Sequence, residues 1–311
     1  QGDGDDGNGV VVDGAGTDRW GSLLATGDAV FGRLDWWPEV TGTDVRTPLL
    51  AALIEPTRPA TTRPASRPAH FADAGLTVLR GPEEIWCRCD GGPHGFLSIA
   101  AHAHADALSV EVRHDGVDVL ADPGTYCYHG QPAWRQYFRS TLGHNTLESD
   151  GRDQSVSGGP FLWLRHARSR VLAVDTSGEG VARWCAEHDG YQRSVHRRRV
   201  ELTAASRELR VFDEVRGPSR DVRLAFHLGP AIAADLVGNR AVLTWMRDGE
   251  GRSAVLDLPG QLSWRAHRGE TDPPLGWYSA GFGRKEPTTT LVGTGFAGGA
   301  EGFTTVLRFR G

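Results

Sequence analysis

Between residues 102 and 144 the chain carries imidazoles and carboxylates at spacings that could do chemistry. His102-Ala103-His104 separates two imidazoles by one residue. In an extended backbone both point to the same side, about 7 Å apart. Asp122 follows 18 residues after His104, beyond His114-Asp115-Gly116. An Asp-Gly pair between two alternating apolar runs signals a hairpin, and a hairpin there returns the chain beside His104. His144 arrives 22 residues after Asp122. His104, Asp122 and His144 are nitrogen and oxygen donors of the kind a tetrahedral zinc accepts, with a fourth position left to water or another group. Histidines spread over solvated loops would show the same spacing, so spacing alone leaves both readings open.

The elements that must position these groups read as strands. Residues 76–80, 84–89, 95–99, 108–112 and 117–120 alternate or cluster apolar side chains. Further candidates follow at 161–174, 181–187, 192–203, 208–215, 222–228, 241–246, 253–258, 261–266, 289–292 and 303–310. Asp189-Gly190, Gly217-Pro218 and Asp248-Gly249 punctuate them as turns. So many strands without intervening helices predict a mainly β protein, a large antiparallel β-sandwich. Cys87 and Cys89 fall on one face of a strand and read as buried thiols. Arg197-Arg198-Arg199 reads as part of a solvated strand face.

Residues 1–60 differ in character. The run from Gly2 to Gly9 is acidic and glycine-rich, but Gly7 stands where a calcium loop needs its third acidic ligand, so it reads as a solvated loop. Two short helices are expected at 22–31 and 47–54, and four prolines between 55 and 68 mark a surface linker. The expected organisation is a short helical N-terminal piece with its linker over 1–60, then a β-sandwich over 61–311. The chain starts Gln1-Gly2-Asp3 rather than with Met, and is expected to be a piece of something longer.

Composition narrows the function classes. A formal charge of −5 disfavours nucleic acid as a partner. No run of 18 apolar residues is present, so no membrane span is expected. Four cysteines in 311 residues make no disulfide framework. Lys285 is the sole lysine among 34 basic residues; the arginines supply planar donors suited to carboxylate and sulfate.

Four separate segments carry a resemblance. They are His102-Ala-His104-Ala-Asp106-Ala-Leu108-Ser109, Asp122-Pro-Gly-Thr-Tyr126, Trp134-Arg135-Gln-Tyr137-Phe138-Arg139-Ser-Thr-Leu-Gly-His144-Asn145-Thr146 and Asp150-Gly151-Arg-Asp153-Gln154-Ser155. In this order and spacing the passage resembles the C-terminal module of the heparinase II/III-like polysaccharide lyases. The resemblance implies an antiparallel β-sandwich that normally packs against an N-terminal α/α toroid, of which residues 1–60 would be the tail. It implies β-elimination on a uronic-acid-containing polysaccharide, with an anionic polysaccharide or oligosaccharide as partner. It further implies that His102 faces the substrate as base or charge neutraliser. His104, Asp122 and His144 would bind one structural Zn2+. Family members take much of their catalytic machinery from the toroid, so this fragment alone would lack it. Polymer substrates imply secretion or the cell envelope.

Beyond these, Tyr126 is a candidate for proton transfer, and Tyr137, Arg139 and Asn145 for substrate contact. Core packing competes for the two tyrosines, an ion pair for Arg139 and backbone satisfaction for Asn145. Gln154 and Trp163 could line the cleft. Two other functions fit the same residues: a non-catalytic, zinc-stabilised carbohydrate-binding or scaffold domain, and a metal hydrolase using a zinc-bound water.

Overall fold

The computed structural model describes residues 3, 19–34, 37, 46–56, 67–96, 98–178, 180–298 and 302–310. Residues 5–68 form one compact unit; residues 1–4 with 69–311 form another. The first holds two helices, Arg19–Phe31 and Arg46–Leu53, where the sequence predicts them. Arg46 Nη2 donates to Ser22 Oγ at 2.8 Å between them. A Cβ at Gly27 would meet the Trp37 ring at 2.7 Å, so glycine alone admits that indole. The prolines at 59 and 64, and the acidic N-terminal run apart from Asp3, lie outside the described residues.

The second unit is mainly β, and its strand pairs are antiparallel. Five strands run in the order His70–Phe71, Leu76–Arg80, Trp86–Asp90, Val110–His114 and Val117–Leu120. Another sheet of eight runs Ala233–Val237, Arg240–Arg247, Glu250–Asp257, Phe303–Phe309, Glu208–Arg216, Ser194–Thr203, Val181–Tyr191 and Ser169–Asp175. A third of four runs Ser263–Arg268, Thr289–Ala297, Arg220–His227 and Leu147–Ser149. One core serves all three: Leu79, Val112, Trp184, Leu202, Leu224, Phe226 and Leu243 belong to a single apolar cluster. Each such side chain contributes about 1.5–3 kcal/mol by leaving water. Cys87 and Cys89 are in that core, their sulfurs 3.8 Å apart.

The hairpin predicted by Asp115-Gly116 forms. His114 pairs with Val117, and both turn residues have positive φ, 47° and 79°, as a two-residue primed turn requires. Its second strand runs into the four-stranded sheet: Leu120 bridges to Leu228, and the Ala121 N–H donates to the His227 carbonyl at 2.9 Å. That junction delivers Asp122 next to the segment bearing His144.

Three local expectations fail. In the run 95–99 the described residues 95, 96, 98 and 99 are not in a strand, because Gly95 and Ala100 turn the backbone at φ 65° and 45° and leave Phe96 and Ile99 exposed. The run 161–174 is broken at 166–168 into Leu162–Arg165 and Ser169–Asp175. At the break, the N–H groups of Ala167 and Arg168 donate to the Ser155 hydroxyl and the Asp189 carboxylate instead of to a neighbouring strand. Arg198 is not solvated; it is fully buried between the half-buried Arg197 and the exposed Arg199.

Candidate metal centre and its exposed rim

The loop 100–109 is held from several sides. The Ala103 N–H donates to the Ala100 carbonyl, the Ala105 N–H to the Arg139 carbonyl, and the Leu108 N–H to the Asp90 carbonyl, each at 2.9 Å. Trp163 Nε1 donates to the Ala103 carbonyl at 3.2 Å. Leu108 sits at φ 61°, a conformation that costs a branched residue and is maintained only by surrounding structure. Thus pinned, the loop buries His104 and Asp106 and leaves His102 with a 56 % exposed side chain.

His104, Asp106 and His144 are all buried, and each offers a ligand atom within 4.8 Å of the others. Asp122 joins through His144: its Oδ2 lies 3.1 Å from His144 Nδ1, and its Oδ1 accepts the Gly124 N–H at 2.9 Å. His104 and His144 thus share a cluster with Asp106, which was not in the expected ligand set, while Asp122 reaches it only through His144. The signal for Asp106 was present, since His102-x-His104-x-Asp106 continues one alternation. His104 Nδ1 and His144 Nε2 are buried without a hydrogen-bond partner among the described residues. A buried polar atom left so costs free energy. Two such imidazole nitrogens beside carboxylates are a donor set that fits a divalent cation, zinc in particular.

The charges agree with this at His104, whereas at His144 they favour the protonated ring, whose proton a bound cation would displace. Burial lowers the His104 pKa, partly offset by Asp3, and a neutral imidazole is the form that ligates. Burial pushes His144 down, but the Asp122 carboxylate outweighs it and raises the net value. Burial likewise pushes Asp122 up, and the neighbouring imidazoles and Arg88 hold it below the usual carboxylate range.

Asp3 is the residue the sequence reading missed most completely. Its side chain is buried, its Oδ1 accepts from His104 Nε2 at 2.8 Å, and its Oδ2 from His102 Nδ1 at 3.1 Å. Arg135 grips both oxygens, Nη1 on Oδ1 and Nη2 on Oδ2, the latter at 2.8 Å. Burial raises the Asp3 pKa, but the bonds to His104 and Arg135 prevail and hold it below the usual range. Nothing in an acidic, glycine-rich run announces a partner about a hundred residues away. Arg135 was more legible: it lies on the short helix Pro132–Arg139, which opens on a proline and buries Arg135 and Arg139 one turn apart.

The tyrosines divide. Tyr128, which the sequence reading passed over, has its hydroxyl 3.3 Å from His102 Nδ1 and stacks edge-on against Phe161 and Phe282. Tyr126 is buried at φ 63°, and its hydroxyl accepts from Lys285 Nζ at 2.9 Å and from Gln131 Nε2 at 3.1 Å. The Lys285 ammonium lowers its pKa and also lies over the Tyr126 and Trp134 rings, 4.1 and 4.3 Å from their centroids. Tyr137 belongs to an apolar cluster with Tyr126 and Phe138; its hydroxyl accepts the Trp277 N–H at 3.2 Å, and burial pushes its pKa up to about 12. That is a packing position.

Arg139 and Asn145 also face inward. Arg139 is buried under Trp163, 4.3 Å from the ring centroid, and donates to the Gly159 carbonyl. Asn145 spends its amide on backbone: Nδ2 donates to the carbonyls of Val110 and Ala121, and Oδ1 accepts the His227 N–H at 2.6 Å. It ties the junction that carries Asp122. Gln154, fully buried, donates to the Ala107 carbonyl, and Trp163 is core.

The family described as Heparinase II/III-like, C-terminal, matches residues 63–306. The chain belongs to this heparinase II/III-like family. Among solved structures, the heparinase III BT4657 gene product is similar with a TM-score of 0.63 and 18% identity, covering 85% of this chain and 38% of that one. The heparan sulfate lyase HepC from Pedobacter heparinus gives a TM-score of 0.64 and 17% identity over 85% and 39%. A further heparinase III structure gives 0.63 and 15% over 94% and 47%. The chain thus spans less than half the length of these structures, and at such identities the likeness is one of fold. No curated protein matches. Among the described residues, no helix is long and apolar enough to cross a membrane.

Proposed function

We propose that this chain is the zinc-bearing β-sandwich of a polysaccharide lyase that cleaves a uronic-acid-containing polymer by β-elimination. The observation that carries the reading is the contrast within one loop of a family member: His102 exposed, and His104 two residues later buried with Asp106 and His144. His104, Asp122 and His144 would hold the ion, with Asp122 giving up its contact with His144 Nδ1 to reach it, and Asp106, within 4.8 Å of both imidazoles, would be a further ligand. A bound zinc there supplies a cross-link between the loop 100–109 and the segment bearing His144, not a reactive group.

β-Elimination has three needs: neutralisation of the uronate carboxylate so that the C5 proton becomes acidic, a base for that proton, and an acid for the departing O4. His102 is the group of this chain best suited to meet the sugar, as base or as charge neutraliser. Tyr128 shares its position and can pass or accept a proton through its hydroxyl. Tyr126, its pKa lowered beside Lys285, is a second candidate for the proton transfer. The aromatic rim of Phe161 and Phe282 offers faces for sugar rings. An extracellular or cell-envelope setting accords with such a substrate.

The test is an ultraviolet absorbance assay of the full-length protein against alginate, heparin-like and gellan-like polymers, reading the new C=C bond of the product. The expected result is turnover of at least one polymer, lost with His102→Ala. Saccharide binding without turnover of any uronate polymer would favour the non-catalytic carbohydrate-binding alternative.

A further inference from the structure

We propose that Asp3 is a positioning residue for the metal centre: its carboxylate, gripped by Arg135, fixes His104 in the tautomer that leaves Nδ1 as the ligating nitrogen. This rests on the metal reading given above and adds to it a residue outside the ligand set. An ionised carboxylate can only accept, so the 2.8 Å contact from Asp3 Oδ1 requires the proton of His104 to sit on Nε2. The other nitrogen, Nδ1, then carries a lone pair, and it is the atom found buried and unpartnered among the described residues. Metal-bound histidines commonly donate their second N–H to a carboxylate in this way, which sets ring orientation and strengthens the donor.

Asp3 is itself held on every side. Its N–H donates to the His102 carbonyl at 2.7 Å. Arg135, 4 % exposed, lies 5.1 Å from the centroid of the Tyr128 ring and 5.7 Å from that of Phe161, and donates to the Pro160 carbonyl at 3.0 Å. A guanidinium so fixed can present its planar fork in one orientation only. Because the second Asp3 oxygen takes the proton of His102, one carboxylate links the buried imidazole of the metal centre to the exposed imidazole of the rim.

The experiment measures zinc affinity of the full-length protein by competition with a chromophoric chelator, with the visible spectrum of the Co2+-loaded form as a second readout. Asp3→Asn is expected to weaken zinc binding by roughly 10- to 100-fold and to change the Co2+ spectrum. That variant also leaves Arg135 buried without its counter-charge, which can destabilise the fold by itself. The double variant Asp3→Asn/Arg135→Gln removes both charges. It is expected to regain the thermal stability of the metal-free protein while its zinc affinity stays weakened. Wild-type affinity in Asp3→Asn, or full recovery of affinity in the double variant, would overturn the proposal and reduce Asp3 to a partner of Arg135. A wild-type protein that binds no zinc would overturn the underlying metal reading and the proposal together.

Discussion

Two buried clusters in the β unit are built from the same three residue types and differ in one respect. In the first, the Gly190 N–H donates to His188 Nδ1 at 3.0 Å, His188 Nε2 faces His196 Nδ1 at 3.2 Å, and His196 Nε2 donates to Asp213 at 2.7 Å. Arg198 completes it, pairing with both Asp213 oxygens at 2.7 and 3.0 Å and donating to the carbonyls of Leu108 and Asn145. Every ring nitrogen there has a partner. In the second, around Asp3, Arg135, His104 and His144, two ring nitrogens have none among the described residues. A saturated network specifies packing; in the unsaturated one the proposed zinc would supply the missing partners. The first cluster also supports the second, because Arg198 braces the Leu108 and Asn145 backbones that carry the loop and the junction.

If this contrast holds, substitutions at the two clusters should separate function from stability. The largest effect is expected at the rim: His102→Ala in the full-length protein should lower kcat on a uronate polymer by about 10²- to 10⁴-fold. With its side chain more than half exposed, the melting temperature should barely move. A comparable fall in melting temperature would mean that His102 is structural.

At the saturated cluster the pattern should reverse. Asp213→Asn leaves Arg198 buried and unpaired and is expected to cost about 3–5 kcal/mol in urea unfolding, whereas Asp213→Leu/Arg198→Met should recover much of it. Equal stability of the single variant and wild type would contradict the assignment.

Acid titration sharpens the same point. Burial raises the Asp213 pKa, but the Arg198 charge and the His196 bond outweigh it and hold it at about 2. A carboxylate depressed in the folded state contributes stability above its unfolded value near 3.9 and loses it as pH falls toward 2. About 2 kcal/mol should therefore disappear between pH 4 and pH 2 in unfolding measurements, and Asp213→Asn should lack that portion of the slope. The smallest effect is expected at Tyr137, where Phe removes two weak hydroxyl contacts to the Trp277 backbone; about 1 kcal/mol should be lost, with turnover unchanged.

Much of the scaffold was legible because alternation along strands and the Asp115-Gly116 turn are local signals. They return the strand bearing Asp122 beside His104 but leave the meeting of 104, 122 and 144 open. What escaped the sequence was of two kinds. Short-range features were misjudged where backbone donors turn to side chains, as at Ala167 and Arg168, or where a left-handed residue such as Ala100 ends an apolar run. Long-range pairing was invisible in principle: Asp3 looks like any loop aspartate until it meets Arg135, and Arg198 like any strand arginine until it meets Asp213. Tyr128 rather than Tyr126 reaches His102, and composition cannot distinguish two tyrosines on one alternation.

The central claim is that the unsaturated cluster holds a metal ion. Elemental analysis of the purified protein, beside a His104→Ala/His144→Ala variant, tests it directly. About one zinc per chain in the wild type, absent from the variant, is the predicted result. A folded wild-type protein free of metal after growth with zinc, or a double variant that keeps its full zinc content, would contradict it.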